Sequence, residues 1–200
     1  MRKLFTLTLA LAVAISIAGA QEKGKGGGKG GGKGKGGLNL PPSIMLTVAG
    51  MSDLGRFPAD NAGQGKGSPA LSWTQVPMGT QSFVILLHDP EPVFNKMASM
   101  DVTHWVIYDI PGDATSLPAG VPAGAELPSG ARQFPNITNQ PAYFGPGPPA
   151  GHGIHHYTWE IWALDSKLGP LTGADRSVVI KAMDGHVLAH GVTIGTFSNP

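Results

Sequence analysis

The sequence predicts a mainly β domain, built as a β-sandwich or as a large antiparallel sheet with a peripheral helix. Several runs are apolar or alternate between apolar and polar residues, and they are rich in β-branched and aromatic side chains. Proline, glycine or acidic turn residues bound each run, and only one other stretch has helical spacing. The predicted strands are 44–48, 82–87, 104–110, 157–164 and 191–197.

Two of these runs differ in their pattern. Run 82–87 is almost continuously apolar, which is typical of a strand that is covered on both faces. Run 157–164 alternates, since Tyr157 and Trp159 are separated by Thr158 and followed by Glu160. We therefore expect run 82–87 to lie inside the sheet.

The stretch 175–183 is the one candidate helix. Its apolar residues, among them Val178, Val179 and Met183, recur at steps of three and four residues. Thr172 or Asp175 could cap the beginning of this helix, and Gly185 could end it. The long stretches 111–130 and 133–153 are dense in proline and glycine, and loops of this length in a compact domain usually carry function.

The first 37 residues predict export and a flexible link. Residues 1–20 have a basic start, an apolar stretch and an Ala-Gly-Ala end, which is typical of a signal peptide cleaved after Ala20. The apolar stretch is shorter than the roughly 20 residues that a membrane anchor needs. Residues 21–37 contain ten glycines and five lysines and are interpreted as a flexible basic tether, with weak contact to anionic surfaces as the alternative to a plain spacer.

Charge and composition bound the remaining domain, residues 38–200. The chain has no cysteine, so an exported domain is held by its core without disulfides. The formal charge is +2 in residues 1–20, +4 in 21–37 and −5 in 38–200. Because a nucleic-acid-binding domain normally has a positive folded part, we expect no specific nucleic-acid partner. The periplasm and the extracellular space both fit, and the sequence leaves open whether the domain forms a homodimer.

Two segments carry candidate ligand-binding residues. Asp89 and Glu91 follow run 82–87, with prolines after each, and on an extended backbone they would point the same way. His104 opens the next strand and would lie near them if the two strands pair. Neighbouring carboxylates favour a charged imidazole, so we expect a site that binds a phosphate or a carboxylate through the histidine, while its acids accept an amine.

The second segment begins with Gly-Pro-Gly-Pro-Pro at 145–149. Its glycines, including Gly147, leave backbone N–H groups open to an anion. His155 and Tyr157 add donors on one face of the following strand, and His156 points to the other face. Each residue alone is more simply a turn or core residue. Together, polar groups that meet at strand ends beside glycine turns indicate a binding site.

Six segments in order make the chain similar to the phosphatidylethanolamine-binding protein family, and within it to the bacterial Raf kinase inhibitor-like branch. The segments are SPALSW at 68–73, HDPEP at 88–92, THWVIYDIPG at 103–112, GPGPP at 145–149, HHYTWEIWALD at 155–165 and DGHVLAHG at 184–191. The resemblance implies a large central antiparallel sheet flanked by a smaller one, with one or two short helices, and a pocket for an anion such as the phosphate of phosphoethanolamine. Its pocket positions fall on Asp89, Glu91, His104, Gly147, His155 and Tyr157.

The chain departs from the family pattern at two places. The usual acidic turn is Asp-Pro-Asp-x-Pro, whereas here Glu91 takes the second Asp position and Pro92 comes one residue early. We expect this change to narrow the pocket or alter the preferred ligand. The position after the pocket histidine, commonly Arg, is His156, which removes a permanent positive charge and should weaken anion binding at higher pH.

The leading interpretation is a secreted, non-enzymatic binding protein for a small anion or a phospholipid headgroup, without cofactor or metal. A metal-dependent enzyme is the alternative with the most candidate ligands, which are His152, His155, His156, His104, Asp89 and Glu91. A serine hydrolase is weaker, because no GxSxG motif is present and Ser68, Ser72, Ser82 and Ser129 lack an evident base. A third class is an interaction protein that acts through the basic tether.

Overall fold

Two β-sheets form the domain. The computed structural model describes residues 42–173 and 175–200, so the predicted signal peptide and tether lie outside the described residues. The larger sheet has six strands in the order β2-β9-β8-β4-β5-β7, and the smaller has three in the order β1-β3-β6. The strands are β1 Met45–Val48, β2 Gly55–Arg56, β3 Leu71–Thr74, β4 Ser82–Asp89, β5 Val102–Pro111, β6 Ser116–Leu117, β7 Arg132–Phe134, β8 His155–Leu164 and β9 Val187–Phe197.

The predicted mainly β fold, a large sheet flanked by a smaller one, is confirmed. All strand pairs are antiparallel except β2 with β9, a parallel pair at one edge that joins Gly55–Arg56 to Gly195 and Thr196. The central strands extend beyond the predicted bounds at several ends, because pairing with a neighbour continues into the flanking polar residues. The strand β3 and the short strands β2, β6 and β7 were not predicted.

Strand β4 is covered on both faces, as its apolar run predicted. Phe83 and Ile85 face the core between the two sheets, where Trp105 and Trp159 also lie. Val84 and Leu86 point the other way, into a smaller cluster beneath a helix. Because both faces are buried, a polar residue on β4 is tolerated only near its ends, and Asp89 is the last residue of the strand.

The two α-helices are short. Helix α2, Ser177–Ala182, lies within the predicted helical stretch, and Val179 is its buried residue. Asp175 does accept a hydrogen bond from the Ser177 N–H at 2.8 Å, and Gly185 follows the helix with φ +80°, but Arg176 occupies the cap position itself. Helix α1, Glu91–Phe94, begins directly after β4. Neither helix, nor the 3-10 turn at Ala59–Asn61, has the length and apolarity to cross a membrane, as far as the described chain extends.

Candidate binding site at the ends of the central strands

The sheet brings the two predicted segments together. Antiparallel pairing of β4 with β8 places Asp89 beside the start of β8, where His155 is the first strand residue. The His155 Nδ1 lies 2.7 Å from Asp89 Oδ2, and both side chains are buried. On the other side β4 pairs with β5, which carries His104. Strand pairing therefore joins Asp89 to His155 and places His104 on the strand at the other side of β4.

Glu91 reaches the site from α1 rather than from an extended turn. Pro90 has helical backbone angles, φ −82° and ψ −17°, so the predicted extended geometry between Asp89 and Glu91 is wrong. The Glu91 N–H donates to Asp89 Oδ1 at 3.0 Å. The Glu91 carboxylate accepts the backbone N–H of His156 at 2.9 Å and lies 2.6 Å from its Nδ1. The two departures from the family pattern, Glu91 and His156, are therefore partners.

His104 is neutral, and its predicted charged form is wrong. Burial lowers the pKa of His104 to about 4, and the nearby His88 and His155 lower it further, whereas a hydrogen bond to a backbone carbonyl opposes the change. That carbonyl belongs to Phe144 and lies 2.8 Å from Nδ1. The imidazole ring also meets the Tyr157 ring edge-on at 5.2 Å. The ring of His104 thus forms one side of the site, held in place by the Phe144 carbonyl and by Tyr157 rather than by a carboxylate.

Two polar atoms of the site are buried without a hydrogen-bond partner. Within residues 42–173 and 175–200, the hydroxyl of Tyr157 and the Nε2 of His155 have none, although Tyr157 is 0% exposed and His155 is 2% exposed. Burial raises the pKa of Tyr157, the negative charge of Asp89 adds to this, and the backbone N–H of Gly147 acts in the opposite direction. Gly147 therefore lies beside the hydroxyl, as its predicted place in the pocket requires.

The net pKa shifts of the two carboxylates have opposite signs. Burial is the main cause that raises the pKa of Asp89 to about 6, and the neighbouring Glu91 adds to it, while the contact with His155 opposes it. Burial also acts to raise the pKa of Glu91, but hydrogen bonds from Asp89 and His156 outweigh it, and the net pKa is lowered. Near pH 6, Asp89 can hold a proton that it donates, whereas Glu91 remains an acceptor.

The glycine turn depends on Gly145 more than on Gly147. A Cβ added at Gly145 would lie 2.5 Å from the backbone oxygen of Asn61, so the turn rests directly on the 3-10 helix at Ala59–Asn61. A Cβ at Gly147 would meet nothing closer than 3.9 Å. The role of Gly147 is thus its N–H group, whereas Gly145 allows the close approach of two backbones.

Aromatic rings form two walls of the site. Sequence reasoning missed the aromatic walls, Phe144 beside His104 and Phe57, whose ring lies 5.9 Å from that of Tyr157. Phe144 directly precedes the glycine turn, and that position was the available signal. Phe57 has no signal in sequence, because it reaches the site from the distant β2 region.

Three of the candidate metal ligands lie together. Asp89, Glu91 and His155 each offer one ligand atom, and these atoms all lie within 4.8 Å of one another. His152 is exposed, and its ring lies 6.3 Å from that of His155. Of the serines named for a hydrolase, Ser82 lies at the opposite end of β4 from Asp89 and donates to the Ser166 carbonyl.

Comparisons with known proteins agree with this geometry. A family model described as phosphatidylethanolamine-binding protein matches residues 47–198. The UPF0098 protein of Methanothermobacter thermautotrophicus is 39% identical over 130 residues, which cover 65% of this chain and 82% of that protein. The UPF0098 protein of Aquifex aeolicus is 39% identical over 131 residues, covering 65% and 73%. In fold, the chain is similar to the crystal structure of Escherichia coli YbcL, with a TM-score of 0.70, 24% identity, and coverage of 79% of this chain and 99% of that one.

Proposed function

The chain belongs to the phosphatidylethanolamine-binding protein family, and on that premise we propose that it is a non-enzymatic binding protein for a small phosphate-bearing anion, such as a phospholipid headgroup. The proposed pocket is formed by the side chains and backbone groups that meet at the ends of β4, β5 and β8. These are Asp89, Glu91, His104, Gly147, His155 and Tyr157.

One observation carries this proposal, namely the two buried polar atoms without a partner. A buried polar group that makes no hydrogen bond costs about 1–3 kcal/mol, so two on stacked neighbouring side chains support a site where a ligand supplies their partners. The Tyr157 hydroxyl can donate to an anion oxygen, and so can Nε2 when the His155 ring carries both protons. The Gly147 N–H beside the hydroxyl adds a third donor.

The carboxylates favour a ligand that also carries a positive group. Asp89 and Glu91 are a source of negative charge, and both pair with histidines within the described chain. A bare phosphate meets repulsion from them, whereas the amine of phosphoethanolamine could be accepted by Glu91. A zwitterionic headgroup therefore fits this donor and acceptor set better than inorganic phosphate does.

Export and the absence of catalysis are parts of the same proposal. The signal-peptide pattern of residues 1–20 supports export to the periplasm or the extracellular space, and the basic tether 21–37 would be accessory. The chain has no cysteine, and the serine on β4 lies at the wrong end of that strand for chemistry at the site. We therefore assign the site residues to binding alone.

Isothermal titration tests this function. The purified protein, treated with EDTA, is titrated with phosphoethanolamine, phosphate and acetate, beside the variants Tyr157→Phe and His155→Gln and the control His186→Gln. His186 forms an exposed pair with Asp165 and has no place in the pocket. We expect phosphoethanolamine to bind most tightly, and Tyr157→Phe to weaken it about tenfold without loss of thermal stability, since the hydroxyl makes no internal hydrogen bond. Equal affinities in Tyr157→Phe, His155→Gln and the parent protein would refute the pocket.

A further inference from the structure

The cluster of Asp89, Glu91 and His155 has the make-up of a metal site. The three residues come from β4, α1 and β8, and each offers one ligand atom within 4.8 Å of the other two. Asp89 and His155 are buried, and Glu91 is partly buried. Separate elements thus place three ligand types around one point, which distinguishes this cluster from acidic residues that are merely close in sequence.

A second observation points to a ligand at the same place. Tyr157 is 0% exposed, its ring stacks at 6.3 Å on that of His155, and its hydroxyl has no hydrogen-bond partner within the described chain. Tyr157 and His155 therefore lie on the same face of β8. The His155 Nε2 is also buried and without a partner in residues 42–173 and 175–200. Neither atom belongs to a network within the protein that would explain its burial.

The donor set selects the class of ion. Two carboxylate oxygens and an imidazole nitrogen suit Zn²⁺, Co²⁺ or Mn²⁺, whereas Ca²⁺ and Mg²⁺ prefer oxygen donors alone and Cu⁺ prefers sulfur. His155 would offer Nδ1, which lies 2.7 Å from Asp89 Oδ2, so that one ion replaces the proton between these two atoms and the Nε2–H stays available to the anion. Three protein ligands with a further open position are also the pattern that leaves room for an exogenous ligand.

We propose that Asp89, Glu91 and His155 bind one divalent transition-metal ion, of the Zn²⁺ class, which leaves a coordination position for an oxygen of the bound anion. This deepens the proposed function and rests on it for the anion, though not for the metal ligands. It differs from the sequence-based expectation of a site without metal. The ion would take the place that the proposed function gives to the amine, and would offset the two negative charges that otherwise oppose an anion, since no lysine or arginine in the described chain forms a salt bridge with Asp89 or Glu91.

Metal titration tests the proposal directly. Purified protein freed of metal with EDTA and then of EDTA is titrated with ZnCl₂, and the absorption of Co²⁺ is followed in parallel. We expect one equivalent of Zn²⁺ with a dissociation constant of about 1 μM or below. Asp89→Asn, Glu91→Gln and His155→Gln should each weaken binding at least tenfold, while thermal unfolding checks that each variant is folded. The control His186→Gln removes an exposed His–Asp pair and should leave binding unchanged.

The outcomes separate this inference from the proposed function. Absence of Zn²⁺ binding, or Zn²⁺ binding that is equal in the three site variants and the control, overturns the metal site, even if phosphoethanolamine binds the metal-free protein. Glu91→Gln is the least disruptive of the three, because that side chain is partly exposed, so it guards against a result caused by misfolding. Stoichiometric Zn²⁺ without any gain in the affinity for inorganic phosphate overturns the coordinated anion and keeps the ion.

Discussion

Replacing His104 should remove a pH dependence from the stability of this protein. His104→Asn places an amide nitrogen where Nδ1 stood, so the hydrogen bond to the Phe144 carbonyl can be kept while the titrating ring is lost. The loss of ring contacts with Tyr157 lowers the free energy of unfolding equally at every pH. The quantity of interest is therefore how the difference between parent and variant changes with pH.

The sign and size of this change in stability follow from the pKa of His104 in the folded protein and in the unfolded chain. The pKa of His104 is about 4 in the folded protein against 6.5 for an unperturbed histidine, so the unfolded chain takes up the proton first. Stability from this group is complete above about pH 6.5 and is lost as the pH falls towards 4. The two pKa values differ by about 2.5, which corresponds to about 3 kcal/mol. Asp89 affects stability in the opposite direction. Its pKa is raised to about 6, so as the pH falls from about 6 the folded state takes up a proton before the unfolded chain does, and this stabilises the folded state.

Urea unfolding followed by tryptophan fluorescence, at steps from pH 7.5 to 4.5, measures the effect in metal-free buffer. Over that range the parent should lose about 2–3 kcal/mol relative to His104→Asn. Parallel curves for the parent and His104→Asn would refute the reasoning that burial keeps His104 neutral.

Three further predictions concern packing and the Glu91–His156 pair. Gly145→Ala should destabilise the protein by about 1–3 kcal/mol in urea unfolding, because its Cβ meets a backbone oxygen at 2.5 Å, whereas Gly147→Ala should change stability by less than about 1 kcal/mol. A double-mutant cycle of Glu91→Gln and His156→Gln should give a coupling energy of at most about 1 kcal/mol, since His156 is half exposed, and a larger value would contradict that exposure. Trp105→Phe should cost about 1–3 kcal/mol, because it leaves the buried amide oxygen that its Nε1 bonds at 2.7 Å without a partner, and an unchanged unfolding midpoint would contradict this.

Strand-level features were predictable where the pattern was long. The continuously apolar run of β4 and the alternation of β8 reflect burial on two faces and on one face, and burial is the physical cause of both patterns. The strands that escaped prediction have two to four residues, too few for a period to be seen. Helix α1 escaped because its prolines read as an extended turn, although proline is well tolerated in the first turn of a helix.

The membership of the site was more predictable than its electrostatics. Residue types and strand order indicated Asp89, His155 and Tyr157, because neighbouring antiparallel strands bring their ends together. The protonation state of His104 was not accessible, since it depends on burial by aromatic rings from other segments rather than on the carboxylates nearby in sequence. The pairing of Glu91 with His156 joins positions 65 residues apart and needed the structure.

The enclosed position of the Tyr157 hydroxyl also determines how fast a ligand can reach it. The side chain is 0% exposed, so under the proposed function a covering segment has to move before any ligand touches the hydroxyl. Association that waits for such a movement is slower than a diffusion-limited encounter, and we expect stopped-flow mixing with phosphoethanolamine to show this.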